Sequence, residues 1–223
     1  MNAGVRFFSF VVLLLAVMGC GSGDPTDVAV AEIEESGGFI ERDEGHVFRV
    51  DFSETEVTDA ELVYLKEFPK LSDLGLSRTG ITDDGLVHIK GLTEMQELDL
   101  TETEVSDAGL PHLKGLVNLT LLYLGSTNVT DAGLEHLKGF TKLQKLDFSQ
   151  TAVTDAGLVH LKHLDNVKSL GLENTNVTDA GLEHLEGLSN LEKLYLSGAK
   201  VSDEGVAKLQ AALPDCLIRR KSN

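Results

Sequence analysis

The ten residues Thr130 to Gly139, TDAGLEHLKG, return along the chain at a fixed interval. Close copies begin at Ser106, Thr154 and Thr178, and looser ones at Thr58, Thr82 and Ser202, so consecutive copies start 24 residues apart. An unbroken period of this size constrains the fold more than any other feature. Each copy has to be one small unit that can bury its apolar face only against its neighbours. One elongated array of seven repeats over 47–214 is therefore expected, and the 223 residues form one domain rather than two.

One copy shows what the unit is. Between Leu119 and Lys142 the apolar positions are Leu119, Leu122, Leu124, Val129, Leu134, Leu137 and Phe140, and two repeats upstream the same slots hold Leu71, Leu74, Leu76, Ile81, Leu86, Ile89 and Leu92. Leu122-Tyr123-Leu124 alternates with period two, which predicts a short strand. Leu134 and Leu137 lie one helical turn apart behind Thr130-Asp131, either of which can accept from the free N–H groups of a helix start. Lys138-Gly139-Phe140 reads as the stop, with the glycine supplying a left-handed residue. Thr55, Thr79, Thr103, Thr127, Thr151 and Thr175 fill a turn slot, where their hydroxyls are expected to satisfy backbone groups of neighbouring coils.

The pattern L-x-x-L-x-L-x-x-T-x-V-T-D, as in LTLLYLGSTNVTD and LQKLDFSQTAVTD, resembles the leucine-rich repeat. The phrase that follows it is similar to the 24-residue repeats of bacterial leucine-rich proteins. The resemblance implies an α/β solenoid, or horseshoe, with a parallel β-sheet on the concave face and short helices on the convex face. It also implies a binding module rather than an enzyme.

Two ladders of chemically capable side chains follow from the period. His88, His112, His136, His160 and His184 share one slot, but a metal site needs ligands that converge, and a regular ladder is better read as solvated or structural histidine. Asp59, Asp83, Asp107, Asp131, Asp155, Asp179 and Asp203 share another, and capping of each residue's own helix accounts for every copy without calcium. No nucleophile motif and no phosphate-binding glycine loop is present, so no catalytic residue, metal or cofactor is expected.

The residues that distinguish one repeat from the next lie between the strand leucines. The central row is Asp51, Gly75, Asp99, Tyr123, Asp147, Gly171, Tyr195. Beside it run Arg49, Asp73, Glu97, Leu121, Lys145, Ser169, Lys193 and, on the other side, Ser53, Ser77, Thr101, Gly125, Ser149, Glu173, Ser197. An aromatic and apolar spot within a charged rim is a pattern of protein contacts, and the candidate partner-binding residues are Asp73, Glu97, Asp99, Leu121, Tyr123, Lys145, Asp147 and Tyr195. A solvated sheet with incidental Leu and Tyr is the competing reading.

The ends are distinct. Phe7 to Met18 is an apolar run behind Arg6, short for a membrane span and suited to a signal peptide; an uncleaved anchor is the alternative. Val17-Met18-Gly19-Cys20 resembles a bacterial lipobox, which implies removal of 1–19 and lipidation of Cys20, and hence a membrane-anchored envelope lipoprotein, periplasmic or on the outer surface. Residues 20–27 read as a tether, 28–46 as an N-terminal cap of a short helix and a hairpin, and 215–223 as a C-terminal cap with a closing strand and a buried Cys216. The formal net charge is −17, which disfavours nucleic acid and anionic lipid surfaces. The expected chain is a monomer, on the membrane through its lipid only, that offers its concave face to a protein or peptide. An adhesion protein binding envelope polysaccharide is the alternative.

Overall fold

The computed structural model describes residues 23–220, so the expected signal segment and Cys20 lie outside the described residues. One sheet takes its strands in strict chain order: β1 (Phe39–Asp43), β2 (His46–Asp51), β3 (Asp73–Gly75), β4 (Glu97–Asp99), β5 (Leu121–Tyr123), β6 (Lys145–Asp147), β7 (Ser169–Gly171), β8 (Lys193–Tyr195) and β9 (Leu217–Arg219). The hairpin β1–β2 is antiparallel and every later pairing is parallel. Each parallel partner lies 24 residues away, as in Leu98 opposite Leu122, so the sequence period is also the strand register. From β3 to β8 the middle residue of each strand points inward and is buried, giving with Val50 of β2 one continuous row through Leu74 to Leu194.

The helices are α1 (Pro25–Glu35), α2 (Asp83–Leu86), α3 (Asp131–Leu134), α4 (Asp155–Leu158), α5 (Asp179–Leu182) and α6 (Asp203–Ala212). Within the array the α-turn is short and passes into 3₁₀ geometry after α3 and α5, and in Glu61–Glu67 and Leu110–Gly115 the return is 3₁₀ alone. The cause is the leucine spacing: Leu110, Leu113 and Leu116 recur every third residue, which matches three residues per turn, and all three are buried. The stop also differs from expectation. Gly139 is not left-handed; the short helix ends at Phe140 with φ −87° and ψ 58°.

Left-handed backbone occurs instead just after each strand. Glu54, Arg78, Glu102, Ser126, Gln150 and Asn174 all have φ between 54° and 62°, and Gly198 takes the same slot in the last repeat. This conformation costs a residue with a side chain about 1 kcal/mol or more. It turns each N–H toward the next coil, as Arg78 donates to the Thr101 carbonyl at 2.8 Å, and so carries the ladder beyond the strand. The turn threonines act within their own coil, against expectation: Thr79 Oγ1 donates to the Leu76 carbonyl at 2.6 Å, and the same bond recurs at Thr103, Thr127, Thr151 and Thr175.

The aspartate ladder holds the coils together rather than capping its own helices. The Asp107 carboxylate accepts from the Thr130 N–H at 2.7 Å and from its hydroxyl at 2.6 Å, one coil further on. Asp59, Asp83, Asp131, Asp155 and Asp179 repeat this bidentate contact with Thr82, Ser106, Thr154, Thr178 and Ser202. The cap is the threonine, whose Oγ accepts from the N–H two residues on at 3.3 to 3.4 Å in α2 to α5. The glycine of each phrase follows from the same contact. A Cβ on Gly133 would overlap Asp107 Oδ1, and Gly85, Gly109, Gly157, Gly181 and Gly205 meet the preceding coil's aspartate in the same way.

Both ends obey this rule by breaking the phrase. The first copy has no preceding aspartate, and Glu61 stands where later copies have glycine; its carboxylate accepts from the Thr58 N–H at 2.9 Å and hydroxyl at 2.6 Å. The last aspartate has no following coil, and Asp203 pairs with Arg220. At the N-terminal edge α1 begins at Pro25, inside the segment expected to be a tether, capped by Asp24, and buries Ala29 and Ile33. At the other edge Gln210 Nε2 donates to the carbonyls of Leu213 and Cys216, each at 2.9 Å, and Cys216, just before β9, is buried.

Gly133→Ala is expected to destabilise the array by about 1–3 kcal/mol through the forced displacement of Asp107. In an Asp107→Ala background, itself costing about 1–3 kcal/mol, the same change costs less, because the approach to Leu110 Cδ1 at 2.8 Å is the close one that remains. Urea unfolding of the four proteins measures the coupling, and strictly additive effects would refute the steric account.

Candidate functional site

The outward residues of β2 to β9 form two rows on the concave face, from Arg49 to Leu217 and from Asp51 to Arg219, in register with the buried one, and the row that begins at Ser53 follows just beyond the strands. All eight sequence-predicted contact residues lie there. They do not form one cluster: Asp73, Glu97 and Asp99 stand on β3 and β4, Leu121 and Tyr123 on β5, Lys145 and Asp147 on β6, and Tyr195 on β8. Leu121 and Tyr123 are half-buried rather than open, because Glu97 and Lys145 flank Leu121, and Asp99 and Asp147 flank Tyr123, in the same rows.

The early half is acidic around a single arginine. Arg49 lies 3.6 Å from Glu41, 3.2 Å from Asp51 and 3.4 Å from Asp73. Burial pushes the Asp73 carboxyl above its ordinary range; Arg49 opposes the shift, and the neighbouring Asp51 and Glu41 add to it. Glu97 is likewise held above its range by burial, then by Asp73 and Asp99. Asp51 goes the other way: burial raises it, but hydrogen bonds from Ser53 and Arg49 outweigh that and keep it low. Asp51, Asp99 and Asp147 each turn Oδ1 back to the backbone two residues on, at 2.9 Å, which fixes the strand exit and leaves the other oxygen outward.

The late half is basic and aromatic. Lys145 Nζ lies 4.6 Å from the Tyr123 ring centre, and the Arg219 guanidinium 5.7 Å from that of Tyr195. Between them is a hollow of about 330 Å³ walled by Lys145, Lys193, Tyr195 and Glu173, with Ser149, Ser169 and Gly171 at its base. Gly171 creates it: the Asp147 carboxylate leans into the space a Cβ would need there, as Asp51 does over Gly75. Lys193, Gly171 and Arg219 belong to this site although they were not among the predicted contacts. Arg219 was legible, since it follows Tyr195 by one period.

The histidine ladder takes no part in this face. Among the described residues no group of three or more His, Cys, Asp or Glu converges as a metal site, and no helix is long and apolar enough to cross a membrane.

The raised carboxyls set a pH dependence with a definite sign. Asp73 and Glu97 bind protons more tightly in the folded chain than in the unfolded one, so their charges oppose folding at neutral pH. That opposition fades as pH falls through their raised values and then below their ordinary ones. Glu97→Gln is expected to raise the stability at pH 7 by roughly 0.5 kcal/mol or less and to show no gain at pH 4. Unfolding midpoints at the two pH values check this, and an equal gain at both would refute it.

Comparison with known proteins agrees with this architecture. A leucine-rich-repeat family model matches residues 141–162 and 187–209. Among solved structures, internalin C2 of Listeria monocytogenes aligns with a TM-score of 0.63 and 25% identity over 89% of this chain and 93% of its own. The structure of PEPR1-AtPEP1 aligns at a TM-score of 0.55 and 19% identity over 82% of this chain and 26% of its own. A search of curated proteins gave no significant match. Parallel strands in sequential order, the period-matched register and these likenesses make the fold a leucine-rich repeat solenoid.

Proposed function

We propose that this chain is a non-enzymatic binding module that presents its concave face to a protein or peptide. The observation that carries the reading is the variation along that face: the buried rows repeat almost unchanged, while the outward rows of the sheet change charge, size and aromaticity from coil to coil. A structural spacer has no need of such variation. Likeness to internalin C2 over nearly the whole chain supports a binding role, and the half-buried Leu121 and Tyr123 at mid-array supply an anchor of the kind found at interface centres. The resemblance of Val17-Met18-Gly19-Cys20 to a lipobox supports a position on a bacterial envelope, held by acyl chains on Cys20.

Tyr195 beside Ser149 and Ser169 gives the alternative, an envelope polysaccharide, its specific support: a ring wall with hydroxyls at its foot. Cross-linking pull-down from the native envelope separates the two. The Leu121→Asp, Tyr123→Ala double variant is expected to lose a protein partner at least about tenfold, the effect of removing about 1.4 kcal/mol, with circular dichroism showing the array still folded. Recovery of the same material by both forms would refute the mid-array site, and loss of glycan alone with Tyr195→Ala would favour the polysaccharide.

A further inference from the structure

The cations and anions of the concave face are separated along the solenoid. On β2 to β4 and the adjoining β1, Glu41, Asp51, Asp73, Glu97 and Asp99 face one cation, Arg49, which already contacts three of them. Among the described residues neither Glu97 nor Asp99 has an ion-pair partner, and both Asp73 and Glu97 are held above the ordinary carboxylate range. On β6, β8 and β9 the reverse holds. Lys145, Lys193 and Arg219 form no salt bridge among the described residues, and two of the three rest against tyrosine rings beside the hollow over Gly171. The acids there are Asp147, which accepts from the Ser149 N–H and, at 2.6 Å, from its hydroxyl, and Glu173 on the far wall.

We infer that the concave sheet receives an extended peptide segment with separated charges, its basic residues over β3 and β4 and its acidic residues over the lysine–tyrosine hollow of β6 to β9. This rests on the binding-module reading and adds the chemistry of the partner. The geometry sets the spacing. Neighbouring strands stand about 4.8 Å apart, so the centre of the acidic region, between β3 and β4, lies roughly 17 Å from β7. An extended chain advances about 3.3 Å per residue, which separates the two charged blocks of the ligand by about five residues. Leu121 and Tyr123 on β5 then lie under the uncharged stretch between the blocks. A single side chain cannot bridge that distance, and the chain's net charge of −17 disfavours a polyanion such as nucleic acid.

The test uses the full chain in detergent and two fluorescent probes of about 14 residues and identical composition. One has an arginine block, a serine–glycine spacer of about five residues containing a leucine, and a glutamate block with a phenylalanine; the other alternates arginine and glutamate. Anisotropy at low ionic strength is expected to give the block probe at least about tenfold tighter binding, lost both in Lys145→Glu/Lys193→Glu and in Asp73→Lys/Glu97→Lys. The milder Lys145→Gln/Lys193→Gln and Asp73→Asn/Glu97→Gln pairs should each weaken it at least about threefold, with unchanged circular dichroism. Equal affinity for the two probes, no binding of either, or retention of block binding by either charge reversal overturns the inference. The binding-module reading falls separately: loss of the native partner in Leu121→Asp, Tyr123→Ala together with equal probe affinities leaves that reading standing and removes only the charge order.

Discussion

A carboxylate held between successive coils sets the geometry on which the rest of this structure depends. Each aspartate at the start of a return segment receives both the N–H and the hydroxyl of the Thr or Ser one coil later, and hydrogen bonds to an ionised acceptor are about twice as strong as neutral ones. The contact leaves no space for a Cβ at the glycine of the receiving coil. The words T-D-x-G therefore describe two coils rather than one: the aspartate of one coil explains the glycine and the hydroxyl of the next. Their absence at the two ends, at Glu61 and in the Asp203–Arg220 pair, is the same rule where a neighbour is missing.

With that spacing fixed on one side, the sheet on the other side cannot slip. A register shift would misplace every buried leucine at once, and the left-handed residue after each strand extends the backbone ladder by one more bond per coil. The three outward residues that each coil gives to the concave face escape these demands. Some of them still meet local ones: Gly75 and Gly171 are small because an aspartate of the coil before leans across them, and Asp99 and Asp147 close the strand exit with one oxygen. The face is thus part scaffold and part contact surface, residue by residue.

The electrostatics of that face run against stability at its early end. Burial and like charges hold Asp73 and Glu97 above their ordinary range, and Arg49 answers only part of that charge. Such an arrangement is tolerated because the repeated core supplies stability independently of it, coil by coil. A cation arriving from outside would relieve the repulsion, which ties the energetics of the free chain to the chemistry of what it binds.

The sequence by itself determined the period, the solenoid, the buried leucine rows, the hairpin before the first repeat and the membership of each outward row, because a 24-residue repeat admits only stacking and a two-residue alternation admits only one inward side. It also made Arg219 readable as the last member of the central row. What it could not decide was which partner each polar group takes. Asp107 looks like a helix cap until the next coil is placed against it, and Gly139 looks like a left-handed stop until the three-residue leucine spacing tightens the turn. The left-handed backbone at Glu54, Arg78 and Gln150 carries no glycine to announce it. The hollow over Gly171 and the half-burial of Leu121 likewise exist only once neighbouring coils stand side by side. Periodicity is a property of the chain taken alone, whereas hydrogen-bond partnership, close approach and charge repulsion are properties of pairs of coils, and the stacking decides them.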